Sequence, residues 1–476
     1  MAAVVTLAHL LVDAARRYGA RPALLDGDQT LTWGALLQRV GARAGSLHAD
    51  GLRPGDPLAV QGGNRASFVI DLLAGSWIGA TVAPLHPGCR GPRRARLLEL
   101  LGGARVVGEG APADGVAAGP PAPDHRVVLF TSGSTGSPKA VVHRGDSLAD
   151  CGRMVADLLA LGPEDRTLGQ LPLAFHYGLT QVTAAMAAGA SCALVRAPVP
   201  TAALDRATAC GVTVWAGVAA TWPPLIAIQR AQPRDLSRLR CLTHAGGALP
   251  VSFCRDLGEL LPGATRVSFY GQTEVLRSMW TPTALAPGRL GAAVPGVQIA
   301  LARPDGGPTP PGEVGELVHG GAFLPLSVDG RAPAPIAALG GAPGWRTGDH
   351  ARRDAAGQLC FEGRRDGLIQ AAGHRVSPAR VEATIEAAPG VRSATVVGLD
   401  DPDRGQVVAA AVVIEASLDA TALRRWCRAT LPAYMVPTRW VAWQQPWPRT
   451  PTGKIDRRAV ARALRPPEDP RDPDDP

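Results

Sequence analysis

The sequence predicts an α/β protein: a large multi-subdomain N-terminal α/β domain followed, across a hinge, by a small C-terminal α+β domain. Three observations carry this. At 476 residues the chain exceeds what one ordinary hydrophobic core organises. Apolar strand-like runs alternate with amphipathic helix-like runs through the first three quarters. Near residue 363 that rhythm gives way to charged turns, a compact helix and two apolar strands.

The N-terminus, "MAAVVTLAHLLVDAARRYGARPALL", lacks the basic start of a secretory leader, and Asp13, Arg16 and Arg17 interrupt it, so it reads as an amphipathic helix ending near Gly19. "SFVIDLLAGSWIGATVAPL" (67–85) and "VTVWAGVAATWPPLIAI" (212–228) show the alternation of buried strand and helix that places residues 1–363 in the large domain. Residues 364–366 are the expected hinge. In the small domain, 367–464, Ser377 is the expected N-cap of a helix, Pro378 its first residue and Gly390 its stop. The strands "ATVVGL" and "QVVAAAVVIE" and a helix around "ATALRRWCRATL" follow. The tail 465–476 is rich in Pro and Asp, the composition of a disordered segment. No internal repeat is visible.

Composition excludes several classes. Hydrophobic residues make up 46%, yet no uncharged apolar run approaches the roughly 20 residues of a membrane span. The eight cysteines form no C-x-x-C pair and no His/Cys cluster, a pattern of reduced thiols in a cytoplasmic protein rather than of disulfides or a metal site. The net charge of +8 comes from dispersed arginines without interleaved aromatics, which argues against a nucleic-acid partner.

Chemistry concentrates first in "TSGSTGSPKAVVH" (131–143), flanked by the strand-like "VVLF" and "AVVH". Gly133 and Gly136 permit tight turns with bare N–H groups, and Ser132, Ser134 and Thr135 add hydroxyls. Such a loop is a nest for phosphate oxygens or a flexible polar linker; it lacks the Walker spacing. Of the 49 basic Lys and Arg residues only Lys139, in this loop, and Lys454, in "PRTPTGKIDRRAV", are lysine. A lysine kept in so arginine-rich a chain implies a need for a compact ammonium on a flexible stem.

Seven segments in order then carry a resemblance: "TSGSTGSPKAV" at 131, "LPLAFHYGL" at 171, "YGQTE" at 270, "GEL" at 315, "GWRTGD" at 344, "GRRDGLIQAAGHRVSP" at 363 and "PRTPTGKIDR" at 448. Together they resemble the adenylate-forming superfamily of acyl- and aryl-CoA ligases, peptide-synthetase adenylation domains and beetle luciferases. The resemblance implies that a carboxylate is joined to the α-phosphate of ATP, that pyrophosphate leaves, and that the acyl group passes to a thiol. It assigns Thr131, Ser132, Gly133, Ser134, Thr135, Gly136 and Lys139 to the β- and γ-phosphates, and Gly246, Gly247 and Ala248 to the adenine loop. Tyr270 would stack on adenine beside Gly271, Thr273 would touch phosphate, Glu274 would hold Mg²⁺, Asp349 would accept the ribose hydroxyls and Arg364 would add a donor. Lys454 would bridge the acid and the α-phosphate, Asp366 would be the hinge about which the small domain rotates, and Gly373 would line the thiol channel.

His176, Tyr177 and Gly178 fall in the implied acid pocket. No aspartate stands in that stretch to pair an α-ammonium, so an aryl or fatty acid is expected rather than an amino acid. Arg277 and Trp280 depart from the small residues common in the family, and Arg277 is a candidate contact for a polar or second acidic group. Ala140 replaces a usual glycine, which is tolerable if its φ is negative. Gln370 stands where luciferases use a lysine, so light emission is not expected. The acceptor is left open between CoA, carrier-protein phosphopantetheine and an amine. An amide synthetase with a nitrogen nucleophile is the alternative enzyme class.

Overall fold

A computed structural model describes residues 5–108, 119–132, 138–197, 199–247, 251–281, 288–364, 367–371, 374–401, 405–414, 420–450 and 454–465. The first helix, Leu7–Tyr18, starts where the Thr6 side chain accepts from the His9 N–H and ends at Gly19. Leu7, Leu10, Leu11 and Ala14 fall on one face and are buried, as their helical spacing requires.

Three sheets organise the chain. The largest contains a parallel core in the spatial order Thr265–Tyr270, Cys241–Ala245, Val214–Val218, Arg166–Gly169, Ser191–Leu194 and Pro22–Asp26. Helices such as His176–Ala188 and Trp222–Ala231 cross over between these strands, the arrangement parallel pairing demands. The second sheet is built on Thr81–Leu85, Pro57–Gln61 and Arg105–Gly108, and it is extended by the hairpin Arg126–Ser132 and Pro138–Arg144.

The alternation expected through three quarters of the chain stops earlier, at Tyr270. From Met279 to Arg364 the regular elements among the described residues are strands paired antiparallel and the short 3₁₀ turn Ala337–Leu339. Antiparallel neighbours need only a turn between them, and the Gly/Pro-rich stretch around 304–313 supplies one such turn. This block continues the largest sheet and sets Asp349 opposite Arg364.

The third sheet joins Val391–Asp401 and Gly405–Ile414 to Ile369–Ala371, His374–Val376 and Arg439–Ala442. Ser377 caps the helix Pro378–Glu386 by accepting from the Arg380 N–H, a contribution of about 1 kcal/mol. That helix closes at Ala387 rather than at Gly390, which has φ 79° and turns the chain into the next strand. Glu382 on this helix pairs with Arg457, with Nη2–Oε2 at 2.8 Å. Its neighbour Glu386 accepts from the Ala394 N–H at 3.0 Å, and burial pushes its carboxyl up to about 8. Arg392 reaches from the third sheet to Asp256 at 2.9 Å, over the Phe253 ring.

Among the described residues no helix is long and apolar enough to cross a membrane, and all eight cysteines are free.

Candidate active site

The strands on either side of residues 133–137, Arg126–Ser132 and Pro138–Arg144, pair antiparallel. Thr131 stands opposite Lys139 and Ser132 opposite Pro138. The side chain of Ser132, and Gly133, Ser134, Thr135 and Gly136, lie outside the described residues. Lys139 is half-buried and forms no ion pair among the described residues. Ala140 has no positive φ, so its Cβ costs nothing there. Its N–H donates to Asp329 Oδ1 at 2.9 Å, and the Asp329 N–H donates back to its carbonyl at 2.9 Å.

His143, at the end of the outgoing strand, donates from Nε2 to the Thr273 carbonyl at 2.8 Å. Burial lowers its pKa to about 4, so the ring is neutral and the proton sits on the nitrogen that faces the carbonyl. The loop strand and the turn carrying Thr273 are thereby tied together.

That turn follows the strand Thr265–Tyr270. A Cβ on Gly271 would meet the Leu276 carbonyl oxygen at 2.2 Å, so only glycine fits. Tyr270 Oη donates to Asp349 Oδ2 at 2.7 Å, and Gln272 Nε2 donates to the same oxygen at 2.7 Å and to the Thr347 carbonyl at 3.0 Å. Burial, and then the Asp349 charge, hold the Tyr270 hydroxyl well above its usual range, so it remains a donor. Asp349 is buried; its Oδ1 takes no hydrogen bond and lies 3.4 Å from Arg364 Nη1. A carboxylate held by one oxygen with the other free of hydrogen bonds can accept hydroxyl donors.

Thr273 and Glu274 are half-buried, and Glu274 has no hydrogen bond or ion pair among the described residues. No group of three metal-ligating side chains occurs among those residues. One unengaged carboxylate fits Mg²⁺, which is commonly held by one or two carboxylates together with phosphate oxygens.

Gly246 and Gly247 follow the strand Cys241–Ala245 with φ of 83° and 149°, and conformation rather than space demands glycine there. His244 steadies this turn by donating from Nε2 to the Gly247 carbonyl at 2.6 Å while Nδ1 accepts from Trp222 Nε1 at 3.1 Å. Ala248 lies outside the described residues.

At the other end, His176 and Tyr177 open the helix His176–Ala188. Gly178 is required by close approach, since a Cβ would meet the Pro172 carbonyl oxygen at 2.2 Å. The Tyr177 hydroxyl hydrogen-bonds Thr243 Oγ1 at 2.8 Å. Arg277, 1% exposed, donates from Nη1 to His176 Nε2 at 2.8 Å. Its guanidinium carbon lies 4.5 Å from the centre of the Tyr177 ring and 5.2 Å from that of Phe269. Burial, and then the Arg277 charge, hold the His176 pKa well below its usual value, which keeps Nε2 an acceptor.

The structure therefore brings together Tyr270, Asp349 and Arg364, and separately His176, Tyr177 and Arg277. Lys454 is exposed on the small third-sheet unit, in a turn where its carbonyl accepts from the Thr450 N–H at 2.8 Å, and it has no ion pair among the described residues. Asp456 caps the helix after it, Arg457–Leu464. Asp366, Gly373 and the side chain of Gln370 lie outside the described residues. Sequence reasoning did not assign His143, His244 or Gln272. Gln272 had a signal, since it sits inside "YGQTE", and His143 closes the quoted loop segment; His244 had none.

Comparison with known proteins adds four relationships. Residues 11–116 and 105–325 match the family described as AMP-binding enzyme, and residues 380–454 match the AMP-binding enzyme C-terminal domain. Tyrocidine synthase 3 of Brevibacillus parabrevis is 28% identical over 96% of this chain, which spans only 8% of that protein's length. Feruloyl-CoA synthase of Amycolatopsis sp is 30% identical over 485 residues, 95% of this chain and 97% of that protein. The crystal structure of the anthranilate CoA ligase AuaEII in complex with anthranoyl-AMP shares the fold, with TM-score 0.85 at 22% identity over 98% of each chain.

Proposed function

The chain belongs to the AMP-binding family of adenylate-forming enzymes, and from that premise we propose that it activates an aryl or fatty carboxylic acid and passes the acyl group to a thiol. The observation that carries the nucleotide half is Asp349, buried and fixed through Oδ2 while Oδ1 takes no hydrogen bond. Held this way, it accepts the ribose hydroxyls beside the ring of Tyr270 and within reach of Arg364. Gly246, Gly247 and Ala248 form the adenine loop, and Gly271 lets the motif turn tightly past the ribose. Thr131 to Gly136 and Lys139 hold the β- and γ-phosphates, with Thr273 beside them.

In the first step a carboxylate oxygen attacks the α-phosphorus and the bond to the bridging oxygen of pyrophosphate breaks. Negative charge gathers on the equatorial oxygens, where fixed donors count most. Lys454 meets that charge and the acid together, and Lys139 steadies the leaving pyrophosphate. Glu274 would hold Mg²⁺, which supplies charge neutralisation on the phosphates when bound. In the second step the sulfur of CoA or of a carrier-bound phosphopantetheine attacks the acyl carbon, and AMP leaves with the electrons of the carbon–oxygen bond. Asp366 is the proposed hinge between the large unit, 1–363, and the small one, 367–464, and Gly373 lines the path of the thiol.

His176, Tyr177 and Gly178 border the acid. A buried guanidinium beside them repels an α-ammonium, which supports an acid without an amino group. The test is acid-dependent exchange of labelled pyrophosphate into ATP across a broad acid panel. Exchange with at least one acid is expected; none with any acid ends this reading. Mass spectrometry of products formed with CoA, a carrier protein or an amine separates thiol ligase from amide synthetase.

A further inference from the structure

Arg277 has a problem that the adenylation reading does not solve. A guanidinium stays protonated at any working pH and carries five N–H donors. Arg277 is 1% exposed, and no carboxylate lies within ion-pair distance of it among the described residues. Nη1 is committed to His176, with a longer contact to the Leu276 carbonyl at 3.3 Å. Nε and Nη2 have no hydrogen-bond partner.

Those two nitrogens are one edge of the guanidinium, the edge whose parallel N–H groups match the two oxygens of a carboxylate. The Tyr177 and Phe269 rings do not substitute for such a partner. They offset the charge through the electron-rich ring faces, but they give no acceptor to in-plane N–H groups. The titratable groups that feel its charge among the described residues are neutral: His176 is held unprotonated, the Tyr177 hydroxyl is pushed up to about 12 and the Cys151 thiol up to about 11 by burial. The backbone is also bent to the purpose. Leu276, a buried residue without a glycine's freedom, has φ 49°, and it directly precedes Arg277. Non-glycine residues in that region concentrate at functional sites.

We propose that the Nε/Nη2 edge of Arg277 receives a second anionic group, carboxylate or sulfonate, carried by the acid whose first carboxylate is adenylated. The inference rests on the adenylation reading for which end of the substrate reacts. It narrows the substrate class to acids with an anion at the far end of an aryl or alkyl body, entering past His176.

The experiment compares matched pairs in pyrophosphate exchange: benzoate with isophthalate and 3-sulfobenzoate, butyrate with succinate. In the wild-type protein the dianionic member of at least one pair is expected to lead by at least roughly 100-fold in kcat/KM, a floor set below the roughly 10⁴-fold by which sites built to hydrogen-bond a polar group reject analogues lacking it. Arg277→Met is expected to remove that lead while KM for ATP stays within about threefold, and Arg277→Lys to restore part of it. Sulfonate and carboxylate arms then distinguish the two anions. Exchange that favours the monoanions in the wild type, or that falls equally for both members of each pair in Arg277→Met, overturns the proposal and leaves adenylation standing. No exchange with any acid overturns adenylation instead. The Arg277 edge is then judged by whether the dianions raise the melting temperature of wild type and not of Arg277→Met; equal shifts in both overturn it.

Discussion

At the proposed nucleotide end of the site, Asp349 Oδ2 meets Tyr270 and Gln272 at 2.7 Å each, so this carboxylate is fixed by the protein's own donors. At the proposed acid end, Arg277 is as deeply buried but spends one nitrogen on His176 and leaves Nε and Nη2 without partners. Arg240, far from either end, shows what a fully satisfied arginine looks like in this chain. It grips both Asp165 oxygens at 2.8 Å and donates to the carbonyls of Leu159 and Ala160. The contrast separates parts that are preorganised from parts that wait for a substrate to complete them. On the proposed reading, preorganised donors would serve a cosubstrate that never changes, and unfilled donors would select among acids.

The largest expected effect tests the part that completes the site from outside. Lys454→Ala should lower pyrophosphate exchange by about 100- to 1,000-fold, the scale for losing one transition-state donor, while thiol transfer from a supplied acyl-adenylate falls far less. Equal loss in both half-reactions would break the division of labour. Next, Asp349→Ala should raise KM for ATP or lower exchange by roughly 100-fold and leave the ranking of acids unchanged. A changed acid ranking would mean that the two ends are not independent.

A smaller effect sharpens the comparison through stability. Arg240→Met removes the guanidinium from Asp165, which keeps the Thr213 hydroxyl and the Gly162 N–H, and with the Arg240 side chain 39% exposed the expected loss is about 1–2 kcal/mol. Arg277→Met strands no carboxylate, so the unfolding free energy from urea titration should hold or rise, by about 1 kcal/mol at most. A large loss at Arg277 would make it a structural residue.

An effect of similar size concerns Glu386, an acid that answers the same problem differently. Arg277 cannot shed its charge, whereas Glu386 can take up a proton, and burial raises its pKa from 4.5 to about 8. Between those values the folded chain binds more protons than the unfolded one, so stability falls as pH rises through that window. Because the side chain keeps some solvent contact, the slope should amount to on the order of 1–2 kcal/mol, and Glu386→Gln should flatten it in urea titrations at pH 5 and pH 8.

Motif spacing located Tyr270, Thr273, Glu274 and Asp349 because their chemistry is bound to short local strings. It could not show that Gln272 reaches a carboxylate 77 residues away, or that His143 holds the Thr273 carbonyl across 130 residues, since those contacts exist only once the strands pair. The burial of Arg277 was equally invisible, although its departure from the expected small residue marked it. The start of the helix Pro378–Glu386 was legible through Ser377, whose side chain caps locally, whereas the Thr6 cap of the first helix was not singled out. The antiparallel block from Met279 to Arg364 was not, because short strands joined by Gly/Pro turns carry little periodicity of their own.

Lysine scarcity has a practical side. An amine-directed acylating reagent finds side-chain targets only at Lys139 and Lys454, so in effect it footprints the proposed site and little else. Protection of Lys139 by ATP alone would report occupancy of the loop. Protection of Lys454 only when acid and ATP are both present would report the arrival of the small domain, with no mutation and no labelled substrate.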